Sequence, residues 1–256
     1  MHKRSKGIGM GITSIFFFST YIIFAKVLLE KFNPETLVGL SQLISAIAIL
    51  FFYGFLPELK KIHKLPSKTL FWLTIISLLA AVLAPMLLLN GLKVTTATNT
   101  IIISMLEPVF TGIIAFFILK ETMSRNQLFG SILMIIGIII IGTKGIAIEP
   151  TFNQGDILIV ISALCWALST IIFKKYLHHI APELIVLLRN LIGAVAIFLV
   201  LPAIFDLDHN LTPLTNSNLL GHIIIFSLFT ILISQMLWYK SLELIPANIA
   251  GSLSLF

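Results

Sequence analysis

Residues 26–51, KVLLEKFNPETLVGLSQLISAIAILF, and residues 174–199, KKYLHHIAPELIVLLRNLIGAVAIFL, are two copies of one pattern. At an offset of 148, 11 of 26 positions are identical: Lys26/Lys174, Leu29/Leu177, Pro34/Pro182, Glu35/Glu183, Val38/Val186, Leu40/Leu188, Leu43/Leu191, Ile44/Ile192, Ala46/Ala194, Ala48/Ala196 and Ile49/Ile197. Apolar composition alone produces some matches, but this run is ungapped and shares the Pro-Glu step. A later stretch aligns at an offset of 150, NGLKVTTA (90–97) against KSLELIPA (240–247). The chain is therefore a duplicated unit. In an apolar protein such duplication is a signature of transporters.

Composition sets the class. The chain is 58% hydrophobic, 11% charged and has a mean hydropathy of +1.05, whereas soluble domains carry about 25% charged residues. Polar groups are too few to cover a soluble surface. The single cysteine, Cys165, excludes an intramolecular disulfide and a cysteine metal cage. No cofactor is implied.

The apolar runs predict helices near Gly7–Leu29, Leu37–Leu56, Leu70–Leu89, Ala97–Leu119, Leu128–Ile141, Ile157–Phe173, Leu184–Ile204 and Leu219–Trp238. A ninth starts at Ala247. Most approach the roughly 20 residues that cross a bilayer core, and period-2 alternation, the mark of a membrane barrel, is missing. Ser124 and Gln127 have capping-box spacing and can start the fifth helix early. The first run follows a basic stretch but is long for a signal peptide, so it reads as a retained helix.

With the N-terminus inside, the inner segments hold 12 basic residues: Lys3, Arg4, Lys6, Lys60, Lys61, Lys64, Lys68, Lys120, Arg125, Lys174, Lys175 and Lys240. The outer ones hold four, Lys26, Lys31, Lys93 and Lys144, and the outer loop at Asp206 to Asn210 carries two acids and no Lys or Arg. This asymmetry predicts an N-in orientation and accounts for the net charge of +6 without nucleic acid. Five spans is an odd number, so the second copy must enter the membrane from the opposite side. Inverted repeats of this kind place a site near the midplane where the halves meet.

The segment from Asn90 to Asn99, the run Ser104-Met-Leu-Glu-Pro-Val-Phe110, Leu119-Lys-Glu121 and Gly130 through Gly137 resemble the first repeat of EamA-type carriers of the drug/metabolite transporter superfamily. Cys165-Trp-Ala167, Pro182 and Arg189 resemble the second. The resemblance implies an all-α polytopic membrane protein of ten helices in paired five-helix repeats, moving small metabolites. The expected units are residues 1–146 and 152–256. Two positions depart from the pattern. Arg189 aligns with Ser41, so the halves are chemically unequal. Leu106 aligns with Phe256, so a second Glu-Pro would begin at the next residue; the sequence is expected to be a C-terminally truncated form, with helix 9 cut short and helix 10 absent.

Glu107-Pro108 is the sharpest chemical feature. A carboxylate mid-span costs a few kcal/mol and should face a cavity or another helix. Pro108 cannot donate to the Ser104 carbonyl, which leaves a kink. Glu107 reads either as a substrate-contacting or proton-linked group, or as a structural carboxyl packing that kink. Arg189, the one basic residue deep in a span, reads as a carboxylate contact, an ion-pair partner or a snorkelling side chain. Trp166 aligns with Phe18, and Gln235 with Pro85, a second expected kink. Asn99 and Ser104 precede Glu107 on a broad face. These residues, Phe18, Asn99, Ser104, Glu107, Trp166, Arg189 and Gln235, are the candidate substrate contacts. Lys26 and Lys174 read as snorkelling anchors. Gly130 and Gly137 share a helix face and suggest close helix packing.

The histidines lack metal-ligand spacing, and no nucleophile elbow or phosphate loop is visible, so enzyme chemistry finds little support. The expected function is secondary transport of amino-acid-like or drug-like solutes across the cytoplasmic membrane by alternating access, with a proton or other ion as a candidate coupling partner and a homodimer left open. The rival reading is a membrane enzyme, sensor or scaffold using the same bundle.

Overall fold

The computed structural model describes residues 2–53, 65–142, 153–205 and 209–253. Among these residues nine helices follow in order: α1 (Lys3–Leu28), α2 (Pro34–Tyr53), α3 (Ser67–Val94), α4 (Ala97–Leu119), α5 (Arg125–Gly142), α6 (Gln154–Leu177), α7 (Pro182–Phe205), α8 (Ser217–Leu244) and α9 (Ala247–Leu253). Seven of these are long and apolar enough to cross a membrane, and α5 is a shorter apolar helix. No strand occurs among the described residues. Lys60, Lys61, His63, Lys64, Lys144, Asp206, Asp208 and the aligned Phe256 lie outside them.

Local chemistry sets the helix starts. Pro34 and Pro182 open α2 and α7, where the missing N–H costs nothing. Ser124 and Gln127 form the expected reciprocal box, with Ser124 N donating to Gln127 Oε1 at 2.9 Å and Gln127 N to Ser124 Oγ at 3.2 Å. Asn153 and Asp156 make another at the start of α6. The third helix of each copy is longer than predicted, because Asn90 and Lys93, like Lys240 and Glu243, continue it past the apolar run.

The molecule is apolar outside, and its interior holds polar side chains beside an apolar core. Phe51, Phe16 and Leu199 are 76%, 69% and 68% exposed, whereas Arg189, Gln42 and Asn190 are 6%, 2% and 0% exposed. A surface this rich in large apolar side chains is unlike that of a water-soluble domain. It matches a helical bundle solvated by lipid, whose helices are joined by small residues and polar contacts. The chain is an all-α polytopic membrane protein.

The duplication is written into the contacts. Ser14 Oγ donates to Ser234 O at 2.8 Å, and its counterpart Ser162 Oγ donates to Ala84 O at 2.7 Å. Lys26 Nζ reaches Leu92 O at 3.2 Å, and Lys174 Nζ reaches Leu242 O. Glu35 accepts from Asn90 at 3.5 Å, and Glu183 pairs with Lys240 at 2.8 Å. Every pair repeats at the offsets of 148 and 150 read from the sequence. Lys26 and Lys174 each place their charge on the C-terminal carbonyls of their own copy's third helix, where a cation is favoured.

The two copies interlock, with α1 packing on α8, α3 on α6 and α2 on α7. Glycine permits the tightest approaches. A Cβ on Gly155 would stand 2.5 Å from Val94 Cγ2 and 2.7 Å from the Gly91 carbonyl, and one on the equivalent Gly7 would stand 2.8 Å from Leu244 Cβ. Gly130 and Gly137 differ from expectation. No atom beyond their own helix and chain neighbours lies within 4 Å of a Cβ at either, because α5 keeps much of its surface outward, including Phe129 and Leu133.

Candidate functional site

A cavity of ≈ 110 Å³ lies between the halves, several times the ~10–15 Å³ that one water requires. From the first copy come Ser14, Phe18 and Tyr21 of α1, Ser41 and Gln42 of α2, Ala80 and Pro85 of α3, and Glu107 of α4. From the second come Trp166, Ser169 and Thr170 of α6, Arg189 of α7, and Ser234, Gln235, Trp238 and Tyr239 of α8. Four wall pairs are sequence equivalents: Phe18/Trp166, Tyr21/Ser169, Ser41/Arg189 and Pro85/Gln235. Phe18 and Trp166 also meet each other, edge to face, with ring centroids 5.8 Å apart. Equivalent residues in mutual contact mark where the two halves are related across the cavity.

Backbone irregularity builds the wall. The third helix of each copy widens to a π-helix at matching places, Leu78–Leu83 and Phe226–Ile233. Such segments are rare and recur at functional sites. In the first, Ala84 N–H bonds to Leu79 O, five residues back. The next donor in that register would be residue 85, which is proline. Pro85 has no N–H, so the Ala80 carbonyl is left for side chains. Arg189 Nη2 donates to it at 2.7 Å and Trp166 Nε1 at 3.3 Å. Gln42 Nε2 donates to the next carbonyl, Ala81 O, at 3.4 Å.

Arg189 has no carboxylate partner among the described residues; its guanidinium stands 6.0 Å from the Tyr239 ring centre. Its Nε is buried and unpaired, as are Gln42 Oε1 and Gln235 Oε1. Buried polar groups in this condition are uncommon and call for an explanation.

Glu107 reaches the cavity because α4 is broken. Helical bonding stops at Ser104 and restarts at Leu106, with Met105 N–H closing a tight turn onto Ile102 O at 3.2 Å. The interruption lies just before Pro108, which cannot donate to the Ser104 carbonyl. The break also turns Asn99 and Ser104 away: neither lines the cavity. Asn99 bonds Thr95 Oγ1 at 3.5 Å and Ser104 bonds Thr100 O at 2.7 Å. Phe18, Glu107, Trp166, Arg189 and Gln235 are thus brought together; Asn99 and Ser104 are not. The reading of candidate contacts omitted Gln42, Tyr21 and Tyr239. Gln42 carried a signal, since it aligns with Asn190 as a polar pair inside apolar spans.

The profile of the EamA-like transporter family matches residues 5–143 and 153–256. An uncharacterized transporter of Synechocystis sp. is 27% identical over 203 residues, covering 76% of this chain and 58% of that protein. The uncharacterized transporter YetK of Bacillus subtilis is 26% identical over 236 residues, covering 90% and 69%. An uncharacterized transporter of Methanothermobacter thermautotrophicus is 26% identical over 258 residues, covering 94% and 73%. The chain thus spans little more than half the length of the cyanobacterial relative. One crystal structure superposes with a TM-score of 0.65 at 14% identity, over 98% of this chain and 86% of that one; at that identity the likeness concerns the fold alone.

Proposed function

The chain belongs to the EamA-like transporter family, and on that premise we propose that it carries small solutes across the cytoplasmic membrane by exposing the central cavity to each side in turn. The observation that supports this is the position of the cavity, walled by equivalent helices of two interlocked copies. Two copies of one unit can exchange conformations, and the exchange turns a cavity open on one side into one open on the other. The N-terminus is read as cytoplasmic, from the distribution of Lys and Arg. Glu107 is read as the group that links a proton to the solute, since it is the one carboxylate on the wall among the described residues.

Thiol accessibility tests this reading. With Cys165→Ser as background, a cysteine replacing Gln235 should react with a membrane-impermeant thiol reagent applied from either face. Reaction from one face alone, with the protein correctly inserted, would rule out alternating exposure.

A further inference from the structure

The π-turn that frees Ala80 O has a twin away from the cavity. Helix α7 widens to a π-helix at Ala196–Val200, and Leu201 N–H bonds to Ala196 O, five residues back. The next donor in that register would be residue 202, which is again a proline and has no N–H. The Ile197 carbonyl is left for a side chain, and His209 Nε2 meets it at 3.1 Å. The other ring nitrogen, Nδ1, meets Thr36 Oγ1 of α2 at 3.3 Å. His209 thus fastens the segment between α7 and α8, in the second copy, to the start of α2 in the first. The fastening lies over a close contact. A Cβ on Gly39 would stand 2.7 Å from Phe198 Cε2 and 2.9 Å from Ile197 Cγ2, and the Phe198 ring packs on the imidazole with centroids 4.9 Å apart. At the repeat offset Thr36 aligns with Leu184 and Pro202 with Gly54, so neither the hydroxyl nor the proline recurs.

Chemistry fixes the tautomer. A carbonyl only accepts, so Nε2 carries the proton and a neutral Nδ1 accepts from the Thr36 hydroxyl. Thr36 is 0% exposed, and among the described residues its hydroxyl has no second partner. A proton added at Nδ1 turns that nitrogen into a donor. The hydroxyl must then swing its own hydrogen away, where nothing accepts it, and a buried donor left unmet is costly. Ionisable neighbours are few. α2 brings Glu35, which accepts from Asn90 at 3.5 Å; α7 beyond Arg189 has none; α8 brings His222, engaged with Asn218 O. Asp206 and Asp208 lie outside the described residues.

We propose that His209 is a proton-operated latch between the two copies: neutral, it holds the α7–α8 segment onto α2, and protonated, it lets go. Imidazole is suited to this, as the side chain whose charge changes near neutral pH. The latch rests on the fold and not on the transport reading, so either can fail alone.

Spin labels test it. Cysteines replacing Asn33 and Asn210, both exposed, in a Cys165→Ser background report the distance across the latch by electron paramagnetic resonance of the full chain. One short distance is expected at about pH 8, and a longer one should grow in toward about pH 5, the range in which histidine changes charge. The ratio of the two should change by up to about tenfold per pH unit, the limit for one linked proton. His209→Gln offers a donor and an acceptor without a charge, and should hold the short distance throughout. Thr36→Val removes the hydroxyl, and should weaken the pH response. A wild-type distance that does not move with pH overturns the proposal even if both variants misfold. So does a pH response that survives unchanged in either variant, since another group would then be the sensor.

Discussion

Among the described residues, Glu107 and Arg189 are the two formally charged side chains on the cavity wall, and the surrounding structure treats them differently. Arg189 is held by a carbonyl that Pro85 sets free. Glu107 is delivered by a helix break that Pro108 enforces. Gln in place of Glu107 keeps the shape and hydrogen-bonding capacity of the side chain but cannot ionise. If Glu107 links protons to solute, Glu107→Gln should flatten the pH dependence of solute flux across the range where a carboxylate titrates, with expression and melting near wild type. An unchanged pH profile would leave Glu107 a structural carboxyl. Both residues were legible in the sequence, because a charge inside an apolar span is expensive. The Ala80 carbonyl was not, since an alanine in an apolar run gives no sign of what its backbone does. Asn99 and Ser104 were misplaced because regular helical spacing was carried through Met105, where the helix stops and restarts.

Among elements, the duplicated pattern foretold more than helix positions. It marked Phe18 and Trp166 as equivalents, and they turn out to touch. It did not reveal the π segments at Leu78–Leu83 and Phe226–Ile233, because apolar residues fit α and π windings alike. Glycine spacing was ambiguous for a related reason: a small residue permits a close contact without supplying its partner. Gly155 has one in Val94 and the Gly91 carbonyl; Gly137 has none within 4 Å. Gly155→Val should therefore force α3 and α6 apart and destabilise the bundle by about 1–3 kcal/mol, the usual cost of overpacking. Gly137→Val should stay within about 0.5 kcal/mol. Thermal melting of both variants in detergent checks this, and equal losses would show that α5 packs more closely than the structure indicates.

For the whole molecule, composition separates membrane from water, and the repeat carries the expectation of how the membrane is crossed. Sequence equivalents make equivalent bonds: Ser14 with Ser162, Lys26 with Lys174, Glu35 with Glu183. Such pairing follows if two copies of one unit face each other across a cavity. It serves transport only if the copies cross the membrane in opposite directions. The loop between α2 and α3 and the loop between α7 and α8 are equivalent in the repeat. Reporters fused at Pro66 and at His209, one active only outside and one fluorescent only inside, test that orientation most directly. The account predicts Pro66 on the cytoplasmic side and His209 on the outer side. Both positions on the same side would contradict the inverted arrangement and the alternating cavity built on it.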